Sequence, residues 1–166
     1  AREILEQGHS TPQAMVGSWA GAMGQSQFMP SSFKAYAIDG DGDGKRDIWG
    51  SKADVFSSAA NYLSSVGWRV DQTWGRRVTL PAEFDIALAN LKTKKKLAAW
   101  QALGVRKPDG SDLPARQLTA SLVLAEKENT ERAYLVYSNY RSILRWNRST
   151  YFALTVGALA DRIGGK

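Results

Sequence analysis

Gly17-Ser18-Trp19-Ala20-Gly21-Ala22-Met23-Gly24-Gln25-Ser26-Gln27-Phe28-Met29-Pro30-Ser31-Ser32 is the stretch from which this 166-residue chain is read outward. Gly17, Gly21 and Gly24 crowd into eight residues, which argues against the interior of a regular helix. Two readings are open at this point: a tight packing bend, or a backbone brought close to a ligand. Pro30 then suits the first turn of a short helix, with Phe33 and Ile38 as its apolar anchors.

Downstream lies Asp39-Gly40-Asp41-Gly42-Asp43-Gly44-Lys45-Arg46-Asp47, the sharpest chemical signal in the chain. Carboxylates at loop positions 1, 3 and 5 with glycine at 6 repeat the first half of an EF-hand, which wraps oxygens around a hard cation. Lys45 at position 7 offers its backbone carbonyl, and Asp47 contributes directly or through water. Gly50 occupies position 12, where an EF-hand carries a bidentate Glu; Asp54 replaces it if the loop is longer than usual. The bland alternative is a surface turn without an ion, in which three aspartates repel one another. All-oxygen donors favour calcium, with sodium as the alternative, in a structural rather than a catalytic role.

A helix is predicted over 53–66, where Val55, Ala59, Tyr62 and Val66 share one face, Phe56, Ala60 and Leu63 share another, and Gly67 ends it. From residue 69 the pattern changes. Val78 to Leu80 reads as a short strand, and Leu97, Trp100 and Leu103 as one face of a short helix ended by Gly104 and Pro108. Lys92, Lys94, Lys95 and Lys96 read as a solvated approach to that helix. Residues 122–126 and 134–137 alternate like the strands of a hairpin, joined by Lys127-Glu128-Asn129-Thr130. A last helix is capped by Ser149 or Thr150, buries Phe152, Val156, Leu159 and Ile163, and stops at Gly164.

Composition narrows the chemistry. There is no cysteine and only one histidine, His9, read as exposed or capping. Disulfides, thiolate nucleophiles, Cys-based zinc sites, Ser-His-Asp triads and multi-His metal sites therefore lack material. No apolar run approaches the ~20 residues needed to span a bilayer. The first eight residues do not read as a signal peptide, so an export signal is expected upstream of Ala1. A formal charge of +6 favours an anionic partner without choosing among nucleic acid, anionic lipid and acidic wall polymer. No nucleic-acid motif accompanies that charge, and none is expected as a partner.

The stretch 17–32, the aspartate loop, Ala60-Asn61-Tyr62-Leu63 and Ile143-Leu144-Arg145-Trp146-Asn147-Arg148-Ser149-Thr150-Tyr151 occur in the order seen in lytic murein transglycosylases of the B type, and the chain resembles that family over nearly its whole length. The resemblance implies an α+β, mainly helical, lysozyme-like fold with an EF-hand-like calcium loop. The expected organisation is 1–68 as part of the catalytic core, 69–143 as a small α/β insertion with its hairpin, and 144–166 as a C-terminal helix returning to the core. It also implies cleavage of the β-1,4 bond between MurNAc and GlcNAc in peptidoglycan to give 1,6-anhydro-MurNAc ends, with no organic cofactor.

One glutamic acid does this chemistry in the family, since the substrate itself supplies the second group, unlike the two-carboxylate glycosidases. The family's Glu-Ser/Thr-x-x-Gly motif has no match here, and the acid is expected upstream of Ala1. Glu3 and Glu6 have the wrong neighbours, and Glu83, Glu126, Glu128 and Glu131 match nothing catalytic.

The substrate side does transfer: Ser18 and Gln27 as cleft polar groups, Phe28 and Met29 as apolar floor, Tyr62 as a wall aromatic, Asn147 as a sugar-contacting amide. Trp146 stands where other members carry Tyr. Each has a plainer reading as core or cap. The implied setting is the periplasm, cell-wall associated or outer-membrane anchored, with any anchor upstream of Ala1. The implied partner is the glycan strand and the implied state a monomer. The rival expectation is a non-catalytic glycan-binding module that has dispensed with the acid.

Overall fold

The computed structural model describes residues 1–127 and 129–165; Glu128, in the expected hairpin turn, lies outside the described residues. The chain divides into two compact units, 1–66 and 67–166. The described residues form six α-helices and one four-stranded antiparallel sheet, an α+β and mainly helical architecture.

The first unit holds α1 (Arg2–Glu6), α2 (Pro30–Tyr36) and α3 (Lys52–Ser65). Pro30 does open α2, where its missing N–H costs nothing, and Phe33 one turn later is fully buried. Ile38 is not an anchor. It follows the helix and is exposed, and its backbone is what is used: its N–H donates to Ser58 Oγ (2.9 Å) and its carbonyl accepts from it. Ser51 caps α3 by accepting the Asp54 N–H, and Gly67 follows Val66 with φ +97°. Of the two expected apolar rows, Val55 is buried, Tyr62 is half-buried and Phe56 is exposed. The core of this unit is Ile4, Met23, Phe28, Phe33, Ile48 and Val55.

The second unit is built on strands β1 (Gly75–Val78), β2 (Lys95–Lys96), β3 (Thr119–Leu124) and β4 (Ala133–Val136), in the order β1-β4-β3-β2. The hairpin is real, with Leu122 opposite Leu135 and Val123 opposite Tyr134. It is the centre of a larger sheet, not a pair standing alone. Successive residues point to opposite faces. Leu122 and Leu135 join Val78, Leu97 and Trp100 on one side, while Val123 and Val136 join Trp74, Tyr140 and Ile143 on the other. The basic run is partly strand: Lys95 and Lys96 pair with Ala120 and Thr119. In α4 (Leu97–Ala102), Leu97 and Trp100 are buried as expected, whereas Leu103 is exposed.

Two helices close the second face: α5 (Ser138–Trp146), which sequence pattern did not separate from the last helix, and α6 (Thr150–Ile163). Ser149 caps α6 by accepting the Phe152 N–H at 3.2 Å. The buried face of α6 is not the expected one. Ala153, Leu154 and Gly157 face inward, and Val156, Leu159 and Ile163 are exposed, Ile163 to 79 %. The reason is Trp74, whose indole occupies the space that any side chain at Gly157 would need. A helix meeting a large ring turns its small residues toward it. Ala153 and Leu154 thereby pack with Trp74, Val123 and Val136 against the sheet of the second unit.

Candidate functional site

The glycine-rich stretch folds into two tight reversals. Gly17 bridges Met23, and Met23 bridges Phe28, all antiparallel. The Ser18 N–H donates to Ala22 O (2.7 Å), and Met23 and Phe28 exchange N–H···O bonds of 2.8 and 3.0 Å. Two of the glycines are required by close approach: a Cβ on Gly17 would stand 2.7 Å from Ala22 O, and one on Gly24 would stand 2.5 Å from Ile48 O. The stretch is thus a tight packing bend, with an open surface beside it.

That surface is a shallow, open cleft of about 410 Å³ lined by Ser18, Gln27, Gln25, Trp49 and the backbone of Gly17 and Gly24. Gln27 sits at φ +52°, the only described non-glycine residue with a positive φ. Its Nε2 donates to Gly24 O at 2.9 Å, which fixes the amide and leaves Oε1 and the second N–H uncommitted. Ser18 Oγ accepts the Ala22 N–H at 3.1 Å and keeps its own proton to donate. Sequence reasoning missed Gln25 and Trp49. The Gln25 side chain donates to Trp49 O (2.7 Å) and the Trp49 indole donates to Val16 O (2.8 Å), so the two tie the bend to the aspartate loop. The one available signal was their adjacency to the two motifs. No carboxylate among the described residues lines this cleft.

The other expected contacts separate. Phe28 is only 3 % exposed, and its ring lies 5.9 Å from that of Tyr62 at a tilt of 41°. Tyr62 packs edge-on against Tyr36 at 4.8 Å. Met29 is 45 % exposed, and Trp19, at the tip of the first reversal, is fully exposed. Trp146 and Asn147 belong to the second unit. Asn147 is exposed, and its Oδ1 accepts the Ser149 N–H at 2.9 Å, a local turn ahead of α6.

In the aspartate loop, Asp39, Asp41 and Asp43 each bring one carboxylate oxygen within 4.8 Å of the others. The backbone curls around Asp39, whose oxygens accept the N–H of Gly42 (2.6 Å) and Gly44 (2.8 Å). These bonds, that from Gly44 first, hold its carboxyl below the usual aspartate range. Asp41 accepts from Ser51 Oγ (2.6 Å), and Asp43 accepts from the Lys45 N–H (2.8 Å). Asp47 accepts from the Trp49 and Gly50 N–H groups, both at 2.9 Å. Asp54 is fully buried, and its two oxygens accept the N–H of Gly40 (2.7 Å) and Asp47 (2.6 Å). It closes the loop from below, in contrast to the three surface carboxylates. The trio, Asp39 half-buried and Asp41 and Asp43 exposed, offers hard oxygens that fit a cation such as calcium; Asp47 and Asp54 accept backbone N–H groups of the loop.

His9 is neither exposed nor a cap. Half-buried, it lies 5.8 Å from the Phe33 ring, and its Nε2 faces Arg46 Nε and Nη2 at 3.1 and 2.7 Å. The Arg46 backbone N–H also stands 3.2 Å from Nδ1, so both ring nitrogens face Arg46, and a neutral imidazole can accept at only one of them. Burial, then the Arg46 charge, push its pKa below the usual value, with Asp39 pulling the other way.

Comparison with known proteins agrees with this geometry. Residues 1–161 match the family model described as Transglycosylase SLT domain. Membrane-bound lytic murein transglycosylase B of Escherichia coli (strain K12) is 34% identical over 159 residues, which cover 92% of this chain and 40% of that protein. SltB3 of Pseudomonas aeruginosa, solved in complex with NAG-anhNAM-pentapeptide, matches with a TM-score of 0.91 and 49% identity, over 98% of this chain and 44% of that one. The Escherichia coli lytic transglycosylase Slt35, solved in complex with calcium, matches with a TM-score of 0.77 and 29% identity, over 98% of this chain and 50% of that one. This chain thus spans half or less of the length of these relatives. On the matched residues and the shared lysozyme-like fold, the chain belongs to the lytic murein transglycosylase B family.

Proposed function

We propose that this chain forms the substrate-holding side of a peptidoglycan lytic transglycosylase, which breaks the β-1,4 bond between MurNAc and GlcNAc without water and leaves 1,6-anhydro-MurNAc ends. The observation that carries this reading is the cleft beside the double reversal. It combines a hydroxyl donor, an oriented amide and the half-buried Trp49 side chain, with the exposed Met29 next in the chain to the reversal. Sugars present polar edges and apolar C–H faces, and such a surface suits both.

In this reading Ser18 donates to a sugar oxygen, while Gln27 accepts a hydroxyl at Oε1 and donates its free N–H to an acetamido oxygen. Met29 and Tyr62, backed by Phe28, provide the apolar contacts of the first unit, and Trp146 and Asn147 are glycan contacts assigned to the second unit by itself. In this reading the proton for the leaving oxygen comes from a glutamic acid outside residues 1–166, since the family's Glu-Ser/Thr-x-x-Gly motif has no match in this sequence. Held in an apolar pocket, such an acid is protonated near neutral pH and then assists the C6 hydroxyl as carboxylate. The EF-hand-like loop holds calcium through Asp39, Asp41, Asp43 and the Lys45 carbonyl, with Asp47 and Asp54 organising it. In this role the ion fixes the loop to which Gln25 and Trp49 tie the cleft.

The proposed setting is the periplasmic cell wall, in keeping with the envelope relative. No helix among the described residues is long and apolar enough to cross a membrane. The test is a titration of the ¹⁵N-labelled chain with the disaccharide NAG-anhNAM. Shifts are expected at Ser18, Gln27 and Trp49, and unmoved resonances there at millimolar sugar would remove the assignment.

A further inference from the structure

The second unit contains a cavity of about 460 Å³ that the cleft chemistry does not use. Arg77 of β1, Arg132 just before β4, Tyr134 of β4, and Tyr151, Leu159 and Arg162 of α6 line it. Tyr151, Leu154, Ala158 and Arg162 recur at helical spacing, so one face of α6 forms a wall. Leu159, which periodicity assigns to the core, opens onto this space and is exposed.

Arg77, Arg132 and Arg162 all line this cavity, and no carboxylate residue among the described residues does. The Arg162 side chain has no hydrogen-bond or ion-pair partner among the described residues. Arg77 gives one N–H to Glu131 O at 3.3 Å, and Arg132 pairs with Glu126 at 3.1 Å on the outside. A lone arginine in the last turn of a helix is an ordinary answer to the helix dipole. Three converging from separate elements on one concave surface are not explained that way. The surrounding charge points the same way: residues 67–166 carry 17 Lys and Arg against nine Asp and Glu, whereas residues 1–66 carry five against seven.

We propose that this cavity is a second binding site, one for the free carboxylates of the peptide that peptidoglycan glycan strands carry. Its volume lies within the ~300–1,000 Å³ typical of small-ligand clefts. The planar guanidinium fork pairs with a carboxylate through two parallel hydrogen bonds, and a neutral sugar would gain little from three such groups. Tyr134, Tyr151 and Leu159 take the aliphatic parts of the peptide. The identity of the ligand rests on the transglycosylase reading; the anion-accepting character of the site does not. In the related SltB3 complex the ligand carries a pentapeptide.

The experiment titrates the ¹⁵N-labelled 166-residue chain with the free peptidoglycan stem peptide, without sugar, and with the same peptide fully amidated at its carboxylates. Arginine Nε–H signals and α6 amides are followed. The acidic peptide should shift Arg77, Arg132, Arg162 and Tyr151, and amidation should weaken binding at least tenfold. The double variant Arg77→Gln/Arg162→Gln should weaken it by a similar factor at an unchanged melting temperature, since both side chains are exposed. Tyr151→Ala is the second variant, at the exposed start of α6.

Equal binding of the amidated peptide, full binding by the double variant, or no shift at all would overturn the proposal. So would a response to phosphatidylglycerol vesicles with none to peptide, which would assign the cavity to a membrane surface. The disaccharide titration on the same sample separates the two readings. Sugar shifts at Gln27 without peptide shifts at Arg162 would sink only this inference, and the reverse would sink only the cleft.

Discussion

Gln27 is where backbone and chemistry meet most closely. A left-handed conformation costs a residue with a Cβ about 1–2 kcal/mol, yet a glutamine stands at φ +52° with its amide tied to Gly24 O. We expect that amide to be kept for turnover. In the complete enzyme Gln27→Ala should lose about 10²-fold in rate, the scale for one oriented transition-state contact. Gln27→Gly should lose the same activity and melt no lower than Gln27→Ala, because glycine fits the backbone. Near-normal turnover in both variants, measured beside their melting curves, would make Gln27 structural.

His9 gives a second expectation at this scale. Its folded pKa is depressed, so the unfolded chain binds the proton more readily. The associated stability is complete above the unfolded imidazole value of about 6.5 and is lost as pH falls through the folded pKa. The chain should melt lower at acid pH than at neutral pH, and His9→Gln should flatten that part of the slope. Parallel slopes for the two proteins would dismiss the idea.

Among the elements, α6 shows how one neighbour decides a helix face. Replacing a glycine in a helix interior by alanine ordinarily stabilises by about 1 kcal/mol. At Gly157 the added methyl would collide with the Trp74 indole, which also holds Asp161 through its Nε1 at 2.9 Å. Overpacking of a filled core costs about 1–3 kcal/mol. Gly157→Ala should therefore be net destabilising in urea, and a higher midpoint would mean that Trp74 moves aside freely.

The aspartate loop carries the other expectation at this scale. If the three surface carboxylates hold calcium, the ion must stabilise the folded chain by mass action. Millimolar calcium should raise the melting temperature, chelator should reverse it, and Asp41→Ala should abolish most of the shift. A melting temperature indifferent to calcium and chelator would remove the ion.

For the molecule as a whole, the informative feature is that no carboxylate among the described residues lines the cleft proposed for the sugar. Gln27 and Asn147 are amides and cannot deliver a proton to a glycosidic oxygen. We expect the 166-residue chain alone to release no 1,6-anhydro-muropeptides from purified peptidoglycan. Finding them by mass spectrometry, with a contaminant control, would mean that some carboxylate of this chain does the chemistry. Glu6 would then be the first to replace.

What could be read from the residues alone was whatever depends on short range. Alternating aspartates and glycines specify a loop, Pro30 and Ser149 specify helix starts, and alternating aliphatics specify β3 and β4, because each pattern acts through its own few peptide units. The ordered motifs of 17–32, 39–47, 60–63 and 143–151 went further and identified the family. What the residues could not decide was which side of each element meets another. The inward turn of Gly157, the support of Tyr62 by Phe28, the burial of His9 and the use of Asp54 as a backbone acceptor all depend on partners distant in sequence. Trp74 and Gly157 show why: periodicity says which residues share a face, but only the shape of the opposing surface decides which face is buried.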